Sequence, residues 1–330
     1  MTMLRVEDVT KVFDVRRRTL MGGPAKKLRA VDGVTLEIGS GETIGLVGES
    51  GCGKSTLGRL VVQLLEPTSG RVMLDGVEHE LDNPEFRRSV QIVFQDPYTS
   101  LPPRMNVGSI IAEPLRIHDV VAESDLPDRV RELLADVGLK ADMARALPHE
   151  LSGGQRQRVS IARALAVEPD IIVADEAVSA LDVSVQAQIL NLMKDLQASR
   201  GLAFLFISHD LGVVRYMSDR IAVMYLGRIV ELGDTESLVE EPLHPYTRAP
   251  LAAVPRHAAT TRPITIRSEP PNPVDPPSGC AFHPRCPIAQ PICSSERPEL
   301  HEWLDGRWAA CHFALESGSE VENEVKTGEG

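Results

Sequence analysis

A glycine-rich octapeptide, Gly48–Ser55, constrains the fold of this chain more than any other stretch of its sequence. It reads Gly-Glu-Ser-Gly-Cys-Gly-Lys-Ser and matches G-x-x-x-x-G-K-[ST], a loop whose backbone N–H groups surround the phosphates of a nucleotide. The apolar run Glu42–Val47 precedes the loop, and apolar residues recur at helical spacing after Lys54. Strand, loop and helix in this order are the context that such a loop requires. The sequence therefore predicts an α/β fold that binds a nucleoside triphosphate with Mg²⁺.

Length and composition describe an ordinary globular protein. The chain has 330 residues, of which 42% are hydrophobic and 25% charged, enough for one large domain plus a smaller part. Its formal net charge of −12 argues against broad nucleic-acid binding, which normally accompanies a basic excess. No stretch approaches the roughly 18 consecutive apolar residues that cross a bilayer, and the N-terminus lacks the pattern of a secretory signal. We therefore expect a cytoplasmic protein that can reach a membrane through partners.

Short strands alternate with helical patterns along most of the chain. Leu4–Val9 and Val31–Ile38 alternate like strands, whereas Ile171–Ala174 and Ala203–Ile207 are continuous apolar runs. Continuous apolar strands between helices indicate a parallel sheet that is covered on both faces. The α/β prediction thus extends well beyond the phosphate loop.

The composition changes after residue 255. Prolines crowd residues 256–279, which are too proline-rich for a helix and are expected to form an extended linker or strap. Residues 280–315 hold four of the five cysteines and are expected to form a small Cys-rich C-terminal appendage, whereas residues 316–330 have the composition of a disordered tail. Residues 1–255 are expected to form one domain with a mixed sheet and a helical subdomain at about 86–150.

Polar residues follow several of the predicted strands, at the edge where ligands sit in open α/β sheets. Asp175 is placed to hold Mg²⁺, and Glu176 beside it to orient or deprotonate an attacking water. His209 can contact a γ-phosphate or that water, and the amide of Gln95 can meet both Mg²⁺ and water. Taken singly, each of these polar residues can instead be a side chain at a strand end or helix start that has no catalytic role, and Phe13, which can stack on an adenine ring, is more typical of a core. Their position after strands that follow a phosphate loop favours function.

A second glycine pair opens another helix at Leu151–Gln155, which reads Leu-Ser-Gly-Gly-Gln. Helix N-termini attract anions through their free N–H groups and the helix dipole. Two anion-binding helix N-termini in one chain suggest that a phosphate is bound from two sides.

Four cysteines lie close together near the C-terminus, at Cys280, Cys286, Cys293 and Cys311, and the fifth, Cys52, lies in the phosphate loop. A disulfide framework is not expected in a cytosolic protein. Four thiols in a turn-rich segment favour a metal centre, although the spacing lacks the C-x₂-C pairs of zinc ribbons. Unligated thiols, or zinc held by cysteines together with nearby histidines, remain alternatives.

Taken together, these motifs resemble the ATP-binding-cassette (ABC) ATPases, a class of P-loop NTPase whose signature is Leu-Ser-Gly-Gly-Gln. The Asn-Lys-x-Asp motif of GTPases does not occur in the sequence. Two stretches, Phe94–Leu101 and Leu243–Arg248, are similar to the ATPase subunits of bacterial oligopeptide and dipeptide importers, and the N-terminal half is most similar to the second of their two ATPases. The motifs that carry the resemblance are Gly48–Ser55, Gln95, Leu151–Gln155, Asp175-Glu176, Ser179–Asp182 and His209.

The resemblance implies a set of roles for these residues. Glu176 is the general base, and His209 positions the γ-phosphate. Gln95 is a third catalytic residue. Mg²⁺ is held by Ser55, Gln95 and Asp175, and the four C-terminal cysteines, Cys280, Cys286, Cys293 and Cys311, hold a [4Fe–4S] cluster. The signature contacts ATP of the opposite subunit in a head-to-tail dimer. The residues that the resemblance places at the nucleotide are Phe13, Gly48, Glu49, Ser50, Gly51, Cys52, Gly53, Lys54, Ser55, Thr56, Asp175, Ser152, Gly153, Gly154, Gln155 and Asp182.

The resemblance also implies a function and partners. We expect the ATP-hydrolysing subunit of a peptide importer, at the cytoplasmic face of the membrane. Its partners would be a second ABC ATPase (a paralogue or a copy of this chain), two permease subunits and an extracytoplasmic substrate-binding protein. The alternatives are a soluble, non-transport ABC ATPase and a redox-sensing scaffold built on the cysteines.

Overall fold

The computed structural model describes residues 2–15, 26–251 and 269–315. The predicted tail at 316–330 and most of the proline-rich linker lie outside the described residues. Within the described ranges the strands are β1 (Thr2–Val15), β2 (Lys26–Gly39), β3 (Thr43–Val47), β4 (Ser69–Leu74), β5 (Val77–Glu78), β6 (Val90–Val93), β7 (Ile171–Asp175), β8 (Ala203–Ile207), β9 (Arg220–Tyr225), β10 (Arg228–Asp234), β11 (His301–Leu304) and β12 (Arg307–Ala309).

The helices surround these strands. They are α1 (Lys54–Val61), α2 (Pro84–Ser89), α3 (Pro97–Ser100), α4 (Val107–Ile117), α5 (Leu126–Asp136), α6 (Gly153–Leu165), α7 (Val183–Arg200), α8 (Leu211–Met217), α9 (Thr235–Glu240), α10 (Pro245–Leu251) and α11 (Pro291–Ser295). Across the described residues, none of these helices is both long enough and apolar enough to cross a membrane.

The central sheet is mixed, as expected from the sequence. Its strand order is β11-β12-β10-β9-β3-β8-β7-β6. The strands from β6 to β9 pair in parallel, whereas β10, β12 and β11 pair antiparallel. Every residue of β3, β7 and β8 is buried, because helices or the second sheet cover both faces of these strands. The carboxyl ends of the three strands therefore lie at one edge of the sheet.

A second, antiparallel sheet has the strand order β2-β1-β4-β5. Its apolar face shares a core with the central sheet and α1, in which Leu4, Ile38, Ile44 and Leu57 are fully buried. A turn at Asp75-Gly76 joins β4 to β5, and both residues have the positive φ that a two-residue hairpin turn requires. This sheet brings the end of β1 close to the phosphate loop.

The region between residues 86 and 150 is mainly helical, as predicted. It contains α3, α4 and α5 together with most of α2, and β6 adds its strand to the edge of the central sheet. The apolar faces of α4 and α5 belong to the same core cluster as α6 and α7. The limits of this subdomain, like the other predicted domain boundaries, stay a prediction.

The C-terminal residues are part of the main fold, so the structure does not support a separate Cys-rich appendage. Strand β12 pairs with β10, with Glu231 opposite Ala309 and Leu232 opposite Trp308. Phe282 is fully buried in the core cluster that fills the centre of the protein. The expectation of an appendage failed because a change in composition does not reveal that a later hairpin extends the central sheet.

Candidate functional site

The phosphate loop lies between β3 and α1 and has a backbone shape that requires glycine. Gly53 has a φ of +112°, and a Cβ atom there would lie 2.1 Å from the carbonyl oxygen of Ala30. At Gly48 a Cβ atom would lie 2.2 Å from the carbonyl oxygen of Met224. Any larger residue at these positions would collide with backbone, so the loop can close only with glycine.

Lys54 begins α1 and is buried, with only 5% of its surface exposed. Its Nζ donates hydrogen bonds to the carbonyl oxygens of Gly48 at 2.8 Å and Glu49 at 3.1 Å. The ammonium group therefore lies within the curve of the loop, the part of a phosphate loop that its N–H groups surround.

The ends of β6, β7 and β8 bring the predicted polar residues together. Ser55 Oγ donates to Asp175 Oδ1 at 2.9 Å, which joins the first turn of α1 to the end of β7. Gln95 Nε2 donates to Glu176 Oε2 at 2.9 Å, and His209 Nδ1 lies 3.5 Å from the same oxygen. Five residues from four segments of the sequence thus form one polar cluster.

Glu176 has a strained backbone at this edge, with a φ of 48°. A left-handed conformation is uncommon for a residue other than glycine, and strained residues are frequent at functional sites. Its N–H donates to the carbonyl oxygen of Ile207 at 2.9 Å, and Ser179 Oγ donates to the carbonyl oxygen of Glu176 at 3.0 Å. These two bonds hold the backbone so that the carboxylate faces Gln95.

Burial raises the pKa of Asp175, and the hydrogen bond from Ser55 only partly opposes this shift. A buried carboxylate favours its charged form when a cation neutralises it. A divalent cation that bridges Ser55 and Asp175 would do so, and hydroxyl and carboxylate oxygens are suitable ligands for Mg²⁺.

An open pocket lies over the phosphate loop. Phe13, Gln95 and Glu176 line it together with the run Ser50–Thr56, which brings these candidate site residues together. Sequence reasoning did not place six further lining residues there, because they carry no motif and reach the pocket only through the fold. These residues are Leu28, Arg29, Ala30, Leu226, Gly227 and Pro273.

Glu49 and the signature residues lie elsewhere. The Glu49 carboxylate forms an ion pair with Arg285 and does not line the pocket. Ser152 caps α6: its Oγ accepts from the N–H of Gln155 at 3.3 Å, and its own N–H donates to Gln155 Oε1 at 2.9 Å. A Cβ atom on Gly154 would lie 2.5 Å from Val185 Cγ1, so this helix start packs against α7 directly after Asp182. The signature is not among the lining residues of the pocket in its own chain.

All four C-terminal cysteines, Cys280, Cys286, Cys293 and Cys311, line one small cavity, whose other walls include Phe282, Ile288 and Phe313. Burial raises the pKa of Cys286 to about 12 and that of Cys311 to about 11, and it also raises the pKa of Cys280. In the described part of the chain, no group of three or more His, Cys, Asp or Glu side chains is arranged to hold a metal ion. The fold therefore gathers the thiols around one cavity without showing a metal site.

Comparison with known proteins identifies the family of the chain. Residues 31–179 match the ABC transporter family, and residues 230–293 match the C-terminal region of oligopeptide/dipeptide transporters. The oligopeptide transport ATP-binding protein AppF of Bacillus subtilis (strain 168) is 48% identical over 321 residues, which cover 94% of this chain and 97% of AppF. This chain belongs to the ABC transporter ATP-binding family.

Further relatives agree with this assignment. The di/tripeptide transport ATP-binding protein DppF of Pseudomonas aeruginosa (strain UCBPP-PA14) is 48% identical, over 95% of this chain and 98% of DppF. Among solved structures, the dimeric post-hydrolysis state of the ATP-binding cassette MJ0796 bound to ADP and Pi is 31% identical, with a TM-score of 0.61 over 71% of this chain and 99% of that chain. The ABC-type P-loop fold and the ATPase class predicted from the sequence are confirmed, and a non-transport ABC ATPase is not favoured.

Proposed function

We propose that this ABC ATPase drives the import of peptides. The observation that carries the proposal is the match of residues 230–293 to the C-terminal region of oligopeptide/dipeptide transporters, alongside relatives such as AppF and DppF that match nearly the whole chain. The chain would act at the cytoplasmic face of the membrane, bound to two permease subunits and a second ABC ATPase. A substrate-binding protein on the other side would deliver the peptide.

ATP binds in the pocket over the phosphate loop. Lys54 and the loop N–H groups hold the β- and γ-phosphates, and the Phe13 ring contacts the adenine. Ser55, Asp175 and Gln95 would hold Mg²⁺, which would neutralise charge on the phosphates. The hydrogen bond between Ser55 and Asp175 supports this assignment, because it already places two of the three ligands together.

Glu176 removes a proton from the attacking water. Its carboxylate is oriented by the Gln95 amide and lies next to His209, which positions the γ-phosphate. A carboxylate that is held on a constrained backbone at the pocket can act as a general base without prior rearrangement. The strained φ of Glu176 fits this role.

A second set of contacts to the γ-phosphate comes from the signature of another subunit. The start of α6 packs on α7 and does not line the pocket of its own chain, which supports a role for its N–H groups at the ATP of a neighbour. Two subunits related by a two-fold axis would then enclose two ATP molecules, with Asp182 in the segment between the sites. ATP should therefore induce dimers of a Glu176→Gln variant, and the substitution Gly154→Asp should prevent them. Dimers that persist in Gly154→Asp would contradict this arrangement.

The four cysteines, Cys280, Cys286, Cys293 and Cys311, would hold a [4Fe–4S] cluster. The cavity supports this donor set: backbone N–H groups bond to the sulfur atoms of Cys280, Cys286 and Cys311, including Phe313 N–H to Cys311 Sγ at 3.4 Å. Such bonds stabilise thiolates, which are the ligands of iron–sulfur clusters. The cluster would supply a redox-active, negatively charged group within the main fold.

Metal analysis of anaerobically purified protein tests the cluster. We expect about four iron atoms per chain and a broad absorbance near ~400 nm. Stoichiometric zinc without iron would support the competing zinc site, and a protein that contains neither metal would refute both.

The transport function is tested with the complete assembly. Purification of the chain from its native membrane should yield two integral membrane subunits and a second ABC ATPase. In liposomes, ATP hydrolysis by this assembly should rise when the binding protein is loaded with peptide and stay unchanged with free amino acids. Hydrolysis that responds to no peptide in a mixed-sequence library would refute peptide import while leaving the ATPase assignment intact.

A further inference from the structure

An ion pair joins the C-terminal segment directly to the phosphate loop. Arg285 Nη1 donates to Glu49 Oε2 and Arg285 Nη2 donates to Glu49 Oε1, both at 2.9 Å. The two parallel bonds form a bidentate pair, the strongest geometry between arginine and a carboxylate. The Arg285 side chain is 5% exposed and that of Glu49 is 30% exposed. The pair is therefore far better shielded from water than an ordinary surface salt bridge.

Glu49 is the second residue of the phosphate loop, and all of its polar groups are occupied. Its N–H donates to Tyr246 Oη at 2.9 Å, and its carbonyl oxygen accepts from Lys54 Nζ at 3.1 Å. Tyr246 and Arg285 both follow β10 in the chain, so two of the residues that hold Glu49 come from the C-terminal part of the protein. The others lie in the loop itself: Lys54, which is proposed to bind phosphate, and Cys52, whose N–H donates to the Glu49 carbonyl oxygen at 3.3 Å.

Arg285 is itself held in place by its neighbours. Its guanidinium lies 5.9 Å from the ring centroids of both Tyr225 and Phe282, and Nη1 is 3.3 Å from Tyr225 Oη. Both rings are buried, and Tyr225 ends β9 in the central sheet. Buried rings thus support the guanidinium where it contacts the phosphate loop. Arg285 directly precedes Cys286, which lines the thiol cavity.

We propose that Arg285 is a positioning residue for ATP hydrolysis, which acts on the phosphate loop through Glu49. Arg285 does not line the pocket and would not touch the nucleotide. The inference rests on the ATPase function proposed above, and it makes residues of the C-terminal segment part of the working ATP site.

Two physical effects underlie the proposal. The bidentate pair fixes the Glu49 side chain and with it the first turn of the loop, whose N–H groups must converge on the phosphates. The guanidinium also neutralises a carboxylate that would otherwise stand uncompensated in a loop built to bind a highly charged anion. Loss of Arg285 would therefore weaken ATP binding by loosening the loop and by adding repulsion.

Steady-state kinetics of the full-length protein test the proposal. In Arg285→Ala we expect the KM for ATP to rise about tenfold, with a smaller change in kcat, because the affected group lies at the binding loop. Arg285→Lys should recover only part of this loss, since an ammonium group cannot form the bidentate pair. Adding Glu49→Gln to Arg285→Ala should lower the KM again, because it removes the unpaired charge.

Arg307→Ala is the matched control. The Arg307 side chain is 12% exposed and lies in the same C-terminal segment, but it binds the carbonyl and carboxylate of Glu241, away from the pocket. It should therefore leave the KM for ATP unchanged. Equal KM values in Arg285→Ala and wild type, or equal increases in Arg285→Ala and Arg307→Ala, would overturn the proposal.

A binding measurement separates the inference from the ATPase function. A fluorescent ATP analogue is titrated into Glu176→Gln protein with and without Arg285→Lys, a substitution that retains the positive charge if Arg285→Ala fails to fold. Weaker binding with Arg285→Lys supports the proposal even if the wild-type chain alone hydrolyses ATP slowly. Identical binding overturns it, whatever the rate of hydrolysis.

Discussion

The phosphate pocket and the thiol-lined cavity hold their functional groups in different ways. In the pocket, side chains orient one another: Ser55 bonds to Asp175, and Gln95 bonds to Glu176. In the cavity, the cysteines lie among aromatic, aliphatic and histidine side chains, and the hydrogen bonds to their sulfur atoms come from the backbone. The pocket is preorganised by polar contacts, whereas the cavity is shaped by packing and offers donors that only a bound metal would connect.

The substitution Glu176→Gln tests the phosphate pocket and should have the largest effect of the predicted changes. We expect kcat to fall by about 10²–10⁴-fold while ATP binding survives, because the amide cannot accept the proton from water. Phosphate release and nucleotide binding are measured on the same preparation. Glu123→Gln, which removes an exposed partner of Arg116, is the control and should retain full activity. Rapid turnover by Glu176→Gln would move the general base to another residue.

Lys54→Ala should act on binding rather than on proton transfer. Loss of the buried ammonium group removes a charge-assisted hydrogen bond to phosphate, so the Kd for ATP should rise about 10–100-fold. Isothermal titration with ATP and Mg²⁺ gives the value. If the affinity stays within twofold of wild type, the phosphates do not lie within the loop.

Cys286→Ser and Cys52→Ser compare the two regions directly. Cys286 lines the thiol cavity and Cys52 lines the phosphate pocket, so only the first substitution should lower the metal content, by at least about tenfold. Iron and zinc are measured per chain by mass spectrometry after anaerobic purification. An equal metal content in the two variants would show that Cys286 is not a ligand.

Glu231 lies on β10 and should affect the stability of the fold rather than either site. Burial raises its pKa from 4.5 to about 7, although the N–H groups of Leu243 and His244 donate to its carboxylate. Because the folded protein holds this proton more tightly, the contribution to stability is complete below about pH 4.5 and is lost as the pH rises through about 7. The shift corresponds to at most about 3 kcal/mol.

The substitution Glu231→Gln checks this pH dependence. Since an amide does not ionise, the free energy of unfolding should change less between pH 4.5 and 7 than it does in the wild type. Urea unfolding at several pH values measures it, and Glu240→Gln, at an exposed position, should retain the wild-type profile. Parallel profiles for Glu231→Gln and wild type would show that another group titrates in this range.

Several features were predictable from the sequence because they depend on residues that are close together in the chain. The glycines of the phosphate loop follow from backbone sterics, and Asp175, Glu176 and His209 could be placed at one edge because parallel strands end there. The bounds of helices were less predictable: the apolar pattern after Lys54 continues to Leu65, but α1 ends at Val61. Helix ends depend on how the following turn packs, which the pattern alone does not record.

The local sequence by itself determined the phosphate loop, the strand ends that carry its polar partners and the signature at the start of α6. Only the tertiary structure decided that β12 extends the central sheet, that Pro273 reaches the pocket wall and that Arg285 binds Glu49. The physical reason is distance along the chain: Arg285 and Glu49 are 236 residues apart, and no local propensity or periodicity records a contact of that range. Such contacts exist because burial of residues such as Phe282 brings the late segment back onto the core.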